Sequence, residues 1–398
     1  MLGPVGHHIE VVDSNVACIC RFSRWTKRIH KAPAPGLDPI GYIKSLNKLI
    51  SEGAFDILLP THEQAWLFAA GRSLLPMNAP VAIASSQAFS LVESKIEFAR
   101  LLDNADLPQP KWGLVNSSYE LGEWEAPVYL KMPFSTAGMG VCRVLSTQDA
   151  ESAFTAFREM GYQGPVMVQT AAEGQYAQAQ ALFDDGQLVA AHTSAQTAIG
   201  IGPSAAGRVS IDHPVVRRDV ASLGKRLRWH GGLTLDYLYR DSEYAYIECN
   251  PRTVEPANAV ASGVDLPGLQ LQLSLGEHPE PVPPGRIGVR THSSLAILLG
   301  TAAYQRSRIR VIREALRILS RHGKYKGSRE CLTPIAHDFL SFLPLAIVAG
   351  RALVSPVTVQ QFASSAVQAY SVTSEAIEQV IAMVRDNQGT DFLSGGQA

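Results

Sequence analysis

The sequence predicts an α/β segment at the front of the chain, an α+β core behind it and a helical C-terminal region. Three observations carry that expectation. Strands alternate with a helix near the N-terminus, strand-turn-strand texture runs from Val166 to Gln196, and an apolar hairpin from Leu233 to Arg252 plants one acid in each strand. The 398 residues hold 35 Lys and Arg against 36 Asp and Glu, and 46% are hydrophobic, so the chain reads as a soluble globular protein of two or three domains. A charge balance this even gives no reason to expect a nucleic acid partner. Cys18, Cys20, Cys142, Cys249 and Cys331 are an odd number without metal spacing, and no charged and apolar secretory leader opens the chain, so a reducing cytoplasm is the expected compartment.

At the front, "HHIEVVDSN" reads as a strand ending in a turn, "DPIGYIKSLNKLISEG" as a helix, and "FDILLPTHEQ" and "APVAIASS" as two further strands. Ligands of such a layer are expected at strand ends, near Asp13 to Asn15 and Thr61 to Glu63. "MLGPVGHH" resembles the tail of a helix already under way, so a first strand is expected to be missing. From Ser94, a plausible N-cap, "KIEFARLLDNADL" reads as one helix stopping at Leu107 and Pro108.

"APVYLKMPFSTAGMGVCRV" then gives a strand carrying Lys131, a small-residue loop with Gly138 and Gly140, and a second strand. A strand lysine beside such a loop suits polyphosphate, because backbone N–H groups approach an anion closely where side chains are absent. An ordinary glycine hairpin with a surface lysine is the plainer reading of this stretch alone. The meander follows, then a helix, "VVRRDVASLGKRLRW", then the acidic hairpin.

In that hairpin Thr234, Asp236 and Leu238 share one face, as do Tyr246, Glu248 and Asn250. A three-residue loop of Asp241, Ser242 and Glu243 sets Arg240 against Tyr244 and Asp236 against Glu248. Opposed like charges are unfavourable unless a cation sits between them, and Asp, Glu and Asn oxygens are what a hard divalent ion takes. The plain alternative is a solvent-facing edge with scattered acids.

The order of these parts, ending in "YIECNPR" and the helix "ASGVDLPGLQLQLSLGE", resembles the ATP-grasp superfamily of carboxylate-amine ligases, related to biotin carboxylase and the carbamoyl-phosphate synthetase large subunit. The resemblance implies a Rossmann-like pre-ATP-grasp domain at 1–92, an ATP-grasp core of two α+β subdomains at 93–293 with a lid at about 127–182, and a helical region at 294–398 that belongs to no part of the shared core. It implies Asp236, Glu248 and Asn250 as magnesium ligands, with manganese as a substitute, and Lys95 and Lys131 as the lysines on ATP phosphates. Ser135, Thr136, Gly138 and Gly140 fall in the implied lid loop, and Gln169, Thr170 and Ala172 in the linker that reads adenine. Thr170 stands where many members carry an acid, which shifts recognition toward Gln169 and the main chain. Arg252, with Lys131, takes the implied catalytic position against the reacting carboxylate or acyl phosphate. Arg208, Arg290 and His292 are weaker candidates for substrate contact, and His192, His213 and His230 read more readily as structural.

The implied activity is ADP-forming ligation of a small-molecule carboxylate to an amine through an acyl phosphate. A bicarbonate-activating carboxylase or carbamoyl-phosphate-type enzyme is one alternative, and a non-catalytic ATP-binding scaffold is another. Past Ser294, "YQRSRIRVIREALRILSRHGKYK" sets Ile309, Ile312, Leu316 and Leu319 on one side among arginines, a basic amphipathic helix. "DFLSFLPLAIVAGRALVSPVTV" is interrupted by Pro344, Gly350, Arg351 and Pro356, which argues against a membrane span. The region is expected to cap the ligase core or to pair two copies in a homodimer, with peripheral attachment to anionic lipid as the weaker alternative.

Overall fold

The computed structural model describes the chain apart from residues 17, 77–79, 136–137, 139, 202–203, 356–370 and 395–398, and apart from the side chains of 388–394. A 3-10 turn at Gly3–Val5 precedes β1 (Ile9–Asp13), which pairs in parallel with β2 (Thr26–Lys31). The sequence reading passed over β2, because Lys27, Arg28 and Lys31 make it look polar. The two further strands expected at 55–60 and 80–85 are extended segments instead, joined by a bond from the Leu58 N–H to the Pro80 carbonyl at 3.0 Å. Pro60, Pro76 and Pro80 remove donors that a ladder would need.

Helix α1 (Pro39–Glu52) forms where expected: Asp38 accepts the Gly41 N–H, Pro39 starts the first turn, and Tyr42, Ile43, Leu46 and Ile50 make one buried face. Next come α2 (Gln64–Ala70), α3 (Ser86–Glu93) and α4 (Lys95–Asp103). Ser94 caps α4 by accepting the Glu97 N–H, but the helix stops at Asp103, short of the expected Leu107. The turn there passes through Asp106 at φ 52°, outside helical backbone.

A four-stranded antiparallel sheet follows in the order β3 (Trp112–Val115), β6 (Val166–Thr170), β4 (Val128–Lys131), β5 (Val141–Val144), with α5 (Thr147–Glu159) between β5 and β6 in the chain. Val128, Leu130, Phe154, Phe157 and Val168 form its separate core. We call it the lid sheet, after the segment expected as a lid at about 127–182, although β3 lies outside that range.

The largest sheet contains β7 (Gln175–Asp184), β8 (Gln187–Ile199), β9 (Ala205–Ile211), β10 (Gly231–Arg240) and β11 (Glu243–Asn250), extended at one edge by β12 (Arg290–His292) and β13 (Arg329–Glu330). Its order is β11-β10-β7-β8-β9-β12-β13. Entry to β7 needs Gly174: its φ is +125°, and a Cβ there would lie 2.4 Å from the Tyr239 carbonyl oxygen. Period-two alternation splits the sheet. Ala177, Ala179, Ala181, Leu233, Leu235 and Tyr237 join the core with Val216, Val220 and Leu223 of α6 (Pro214–Leu227). The intervening residues, among them Gln178, Gln180, Thr234 and Asp236, point to the other side. There α7 (Ala257–Ser262) and α8 (Leu266–Ser274) close the region beyond Asn250.

The hairpin register corrects the sequence reading in one respect. The loop has two residues, Asp241 and Ser242, so Arg240 pairs with Glu243, and a bulge at Ile247 restores Asp236 opposite Glu248.

Helices α9 (Ser294–Gln305), α10 (Arg308–Leu319) and α11 (Phe342–Val354) share a small core of Leu298, Ala302, Val311 and Ala352. The orientation of α10 departs from the packed cap that its sequence led us to expect. Val311 and Glu314 face inward, whereas Ile309, Ile312, Leu316 and Leu319 are exposed. The last helix, α12 (Ser374–Ser394), returns to the N-terminal layer, where Val372, Ala376, Ile377 and Val380 join the core of Tyr42, Leu46 and Phe68. Glu63 fixes its approach by accepting the Val372 N–H at 3.0 Å. Truncating Ile377 to Ala at this seam is expected to cost about 2–5 kcal/mol. Urea unfolding measures it, and an unchanged midpoint would mean that α12 is not part of the core.

Candidate functional site

The site grows from the polar side of the large sheet. Asp236 stands opposite Glu248 on one flank and Gln178 on the other, Thr234 stands between Asn250 and Gln180, and Ser194 pairs with Gln178. Asn250 Nδ2 lies 3.4 Å from Asp236 Oδ2, so the amide oxygen of Asn250 and both carboxylates remain for a cation. The three residues expected as metal ligands therefore come together.

Burial raises the Asp236 carboxyl to about 7, with the Glu248 charge adding to the shift, while Tyr176, Gln178 and Arg208 oppose it. Glu248 differs. Burial alone would raise it, but the ammonium groups of Lys95 and Lys131, helped by Arg252, hold it below the usual carboxylate range. Lys95 Nζ sits 3.1 Å from Glu248 Oε1 and donates to the Ser135 carbonyl at 3.0 Å. Glu248 keeps 39% of its side-chain surface open, whereas Asp236 is 6% exposed.

Lys131 reaches the same place from the lid sheet. Its Nζ donates to Gln169 Oε1 at 2.7 Å and to the Ile247 carbonyl at 3.2 Å. Bulging leaves a residue outside the regular ladder, and here it turns the Ile247 carbonyl toward a lysine from another subdomain. Burial pulls Lys131 down to about 8, and the Glu248 charge works against that fall.

The expected lid loop folds beside these lysines. The Met132 N–H donates to the Gly140 carbonyl at 2.8 Å and the Val141 N–H to the Gly138 carbonyl at 3.1 Å, with Gly138 at φ +76°. Thr136 lies outside the described residues. Phe134 stacks on Trp66 at 5.3 Å, tying the loop to the N-terminal layer. In the linker, Thr170 is held by its N–H to the Lys111 carbonyl at 2.9 Å, and Ala172 is half-buried.

Four buried polar atoms on the sheet's polar side lack hydrogen-bond partners: Asp236 Oδ1, Gln178 Oε1, Ser194 Oγ and Arg208 Nη1. Ser135 Oγ in the lid loop is a fifth. Buried polar groups are normally satisfied, so the four atoms on one face of the sheet are available to a polar ligand. Arg208 is 6% exposed, and its Nη2 holds Glu255 at 2.9 Å. Among the described residues no three His, Cys, Asp or Glu side chains converge on a metal position. Two carboxylates and an amide oxygen nevertheless fit magnesium, which completes its shell with water and phosphate oxygens.

Other expected contacts are not in this cluster. Thr291 pairs with Arg208 in the sheet, so its neighbours Arg290 and His292 point to the opposite side. Arg290 is exposed, and His292 bonds Ser328 at 2.8 Å and stacks near Tyr325. His213 lies among Tyr237, Tyr239 and Tyr244, and His230 beside Asp184. His192 is on the polar side, bonded to Asn258 at 2.8 Å and Ser262 at 3.2 Å, and burial lowers it to about 4.

Residues the sequence reading missed come chiefly from other elements. Glu93, at the end of α3, is raised to about 7 by burial and by the Glu63 charge, against the pull of Arg252 and Lys95. His62 is lowered to about 3 by burial and by Arg252. Both feel the charge of Arg252, and Glu93 also feels that of Glu63, which lies in the loop at Thr61 to Glu63. Gln178 and Ser194 showed no signal beyond polar alternation in a meander.

No family model matches the sequence. Among curated proteins, acetyl-CoA carboxylase of Dictyostelium discoideum is 26% identical over 161 residues, which are 38% of this chain and 7% of that protein. The chain thus matches under a tenth of that relative's length. Biotin carboxylase from Campylobacter jejuni, solved as a β,γ-ATP complex, superposes with TM-score 0.56 at 16% identity, covering 72% of this chain and 70% of that one. The L-amino acid ligase from Bacillus licheniformis gives TM-score 0.52 at 15% identity, covering 70% of each chain. Lid sheet, acidic hairpin and superpositions agree: this chain has the ATP-grasp fold.

Proposed function

We propose that the protein is an ATP-dependent ligase that activates a small carboxylate as an acyl phosphate and joins it to an amine, releasing ADP and phosphate. The observation that supports this most directly is the polar side of the large sheet. Its orphaned atoms lie beside a carboxylate pair and two buried lysines, a combination suited to a metal-bound polyphosphate next to a polar substrate. The resemblance to an L-amino acid ligase agrees with the chemistry.

In this reading Lys95 and Lys131 hold the phosphates, and Gln169, Thr170 and Ala172 lie along the adenine. Ser135, Gly138 and Gly140 belong to the loop that keeps water from the activated intermediate. Asp236, Glu248 and Asn250 would hold magnesium, which when bound offsets charge on the β- and γ-phosphates. An oxygen of the acid attacks the γ-phosphorus as the bond to the ADP oxygen breaks. The amine then attacks the acyl carbon, and phosphate leaves with the carbon–oxygen bond pair. Arg252 offers a permanently charged fork to the oxygens that gain charge, and the free Nη1 of Arg208 is the anchor for the acid's carboxylate.

Bicarbonate as the activated acid is a second reading, supported by the matches to biotin carboxylase and acetyl-CoA carboxylase. Measuring ADP release over a panel of acids and amines separates the two. Turnover that needs both an acid and an amine supports the ligase, and dependence on bicarbonate supports the second reading. Tight ATP binding without turnover would overturn both.

Three outcomes follow for variants. Glu248→Gln is expected to lower turnover about 100-fold or more with the unfolding midpoint nearly unchanged, and near-normal turnover would sink the metal assignment. Arg208→Met is expected to raise KM for the acid while leaving KM for ATP in place, which initial-rate kinetics reads directly. Lys131 loses its proton as pH rises through about 8 in the empty protein, whereas bound phosphates favour the charged form. MgADP affinity measured by calorimetry should therefore be about tenfold weaker at pH 9 than at pH 7. Lys131→Arg, charged throughout, should flatten that slope.

A further inference from the structure

Helix α10 carries two stripes. Val311, Glu314 and Ile318 turn toward α9 and α11, and Glu314 is fixed there by the Tyr325 hydroxyl and by Lys324 at 2.9 Å. Ile309, Ile312, Leu316 and Leu319 recur at helical spacing on a second stripe, which faces out with 70%, 47%, 60% and 79% of their surface exposed. Leaving four large aliphatic side chains in water on one short helix is unfavourable, and contiguous exposed apolar surface marks a contact site. At its N-terminal end, Arg308 donates to the carbonyl of Val354, itself 73% exposed, which extends the apolar surface onto α11.

The flanks of the stripe identify the occupant. From Arg306 to Lys324 the chain holds seven cationic side chains and one carboxylate, Glu314, in a protein whose total charge is close to balanced. Arg310 and Arg313 are exposed and form no ion pair among the described residues. Arg308 borders one side of the stripe and Arg313 the other. A second copy of this chain docked symmetrically on the stripe would bring arginines against arginines. A surface that is apolar within and anionic at its rim satisfies both features.

We propose that α10 is an interfacial helix that binds the protein to an anionic lipid bilayer, laying the Ile309–Leu319 stripe among the acyl chains while the flanking arginines meet phosphate headgroups. The helix lies flat rather than crossing. It is about 18 Å long, and no described helix is long and apolar enough to span a membrane. The cleft and its lysines take no part, so the attachment stands independently of the activity proposed above.

Co-sedimentation of the full-length protein with vesicles tests this. Binding is expected to vesicles of mixed phosphatidylglycerol and phosphatidylcholine, not to pure phosphatidylcholine, and to be reversed by high salt. Leu316→Ser with Leu319→Ser, and separately Arg310→Glu with Arg313→Glu, should each weaken binding about tenfold or more without changing MgADP affinity. Absence of vesicle binding, or binding untouched by either pair, would overturn the proposal. So would concentration-dependent dimerisation that the leucine pair abolishes, because the stripe would then be covered by a second copy.

Discussion

Two carboxylates facing each other across one strand pair repel, and the architecture around Asp236 and Glu248 is organised by that cost. Glu248 keeps its charge because the Lys95 and Lys131 ammonium groups act on it, whereas burial and the Glu248 charge drive Asp236 toward its protonated form. The pair is therefore half-compensated by the protein itself. In the proposed function a divalent ion would supply the remaining positive charge, and the hairpin would be most stable when loaded. One bulge serves both acid and base: Ile247 keeps the acids in register despite a two-residue turn, and it lends its carbonyl to Lys131.

Each cation arrives from a different element. Lys95 opens α4, while Lys131 ends a strand of the lid sheet and also grips Gln169 on the neighbouring strand. The lid cannot shift without disturbing the charge balance of the hairpin. In the N-terminal layer His62 and Glu93 feel the charge of Arg252, and Glu93 also that of Glu63. Burial around these groups makes every charge among them costly when unpaired.

The acidic hairpin was legible in the sequence, because a polar alternation broken by acids inside an apolar hairpin is a strong local signal. The pairing of Asp236 with Glu248 was read correctly from an incorrect loop, since the bulge cancelled the error. Lys131 was legible through strand and loop texture, whereas Lys95 was singled out only by the family resemblance. What escaped was set by tertiary context. Proline positions turned two apparent strands into unpaired segments, and the inward face of α10 was the one holding Glu314, not the one richest in aliphatic residues. Arg290 and His292 were expected near the pocket because "GVRTH" follows the family helix, but strand alternation sends them to the other side. Nothing local announced that α12 belongs with α1 and α2.

The bond between Glu63 and Val372 joins residues 309 positions apart. A ribosome making this chain exposes the N-terminal layer long before its covering helix exists. Tyr42, Phe68 and their neighbours then wait without a lid while some three hundred residues are added, a time on the order of 15–60 s at ordinary elongation rates. That interval is an aggregation hazard which a chaperone or early docking of the large sheet would have to cover, and it makes final closure of the molecule a late event in biosynthesis.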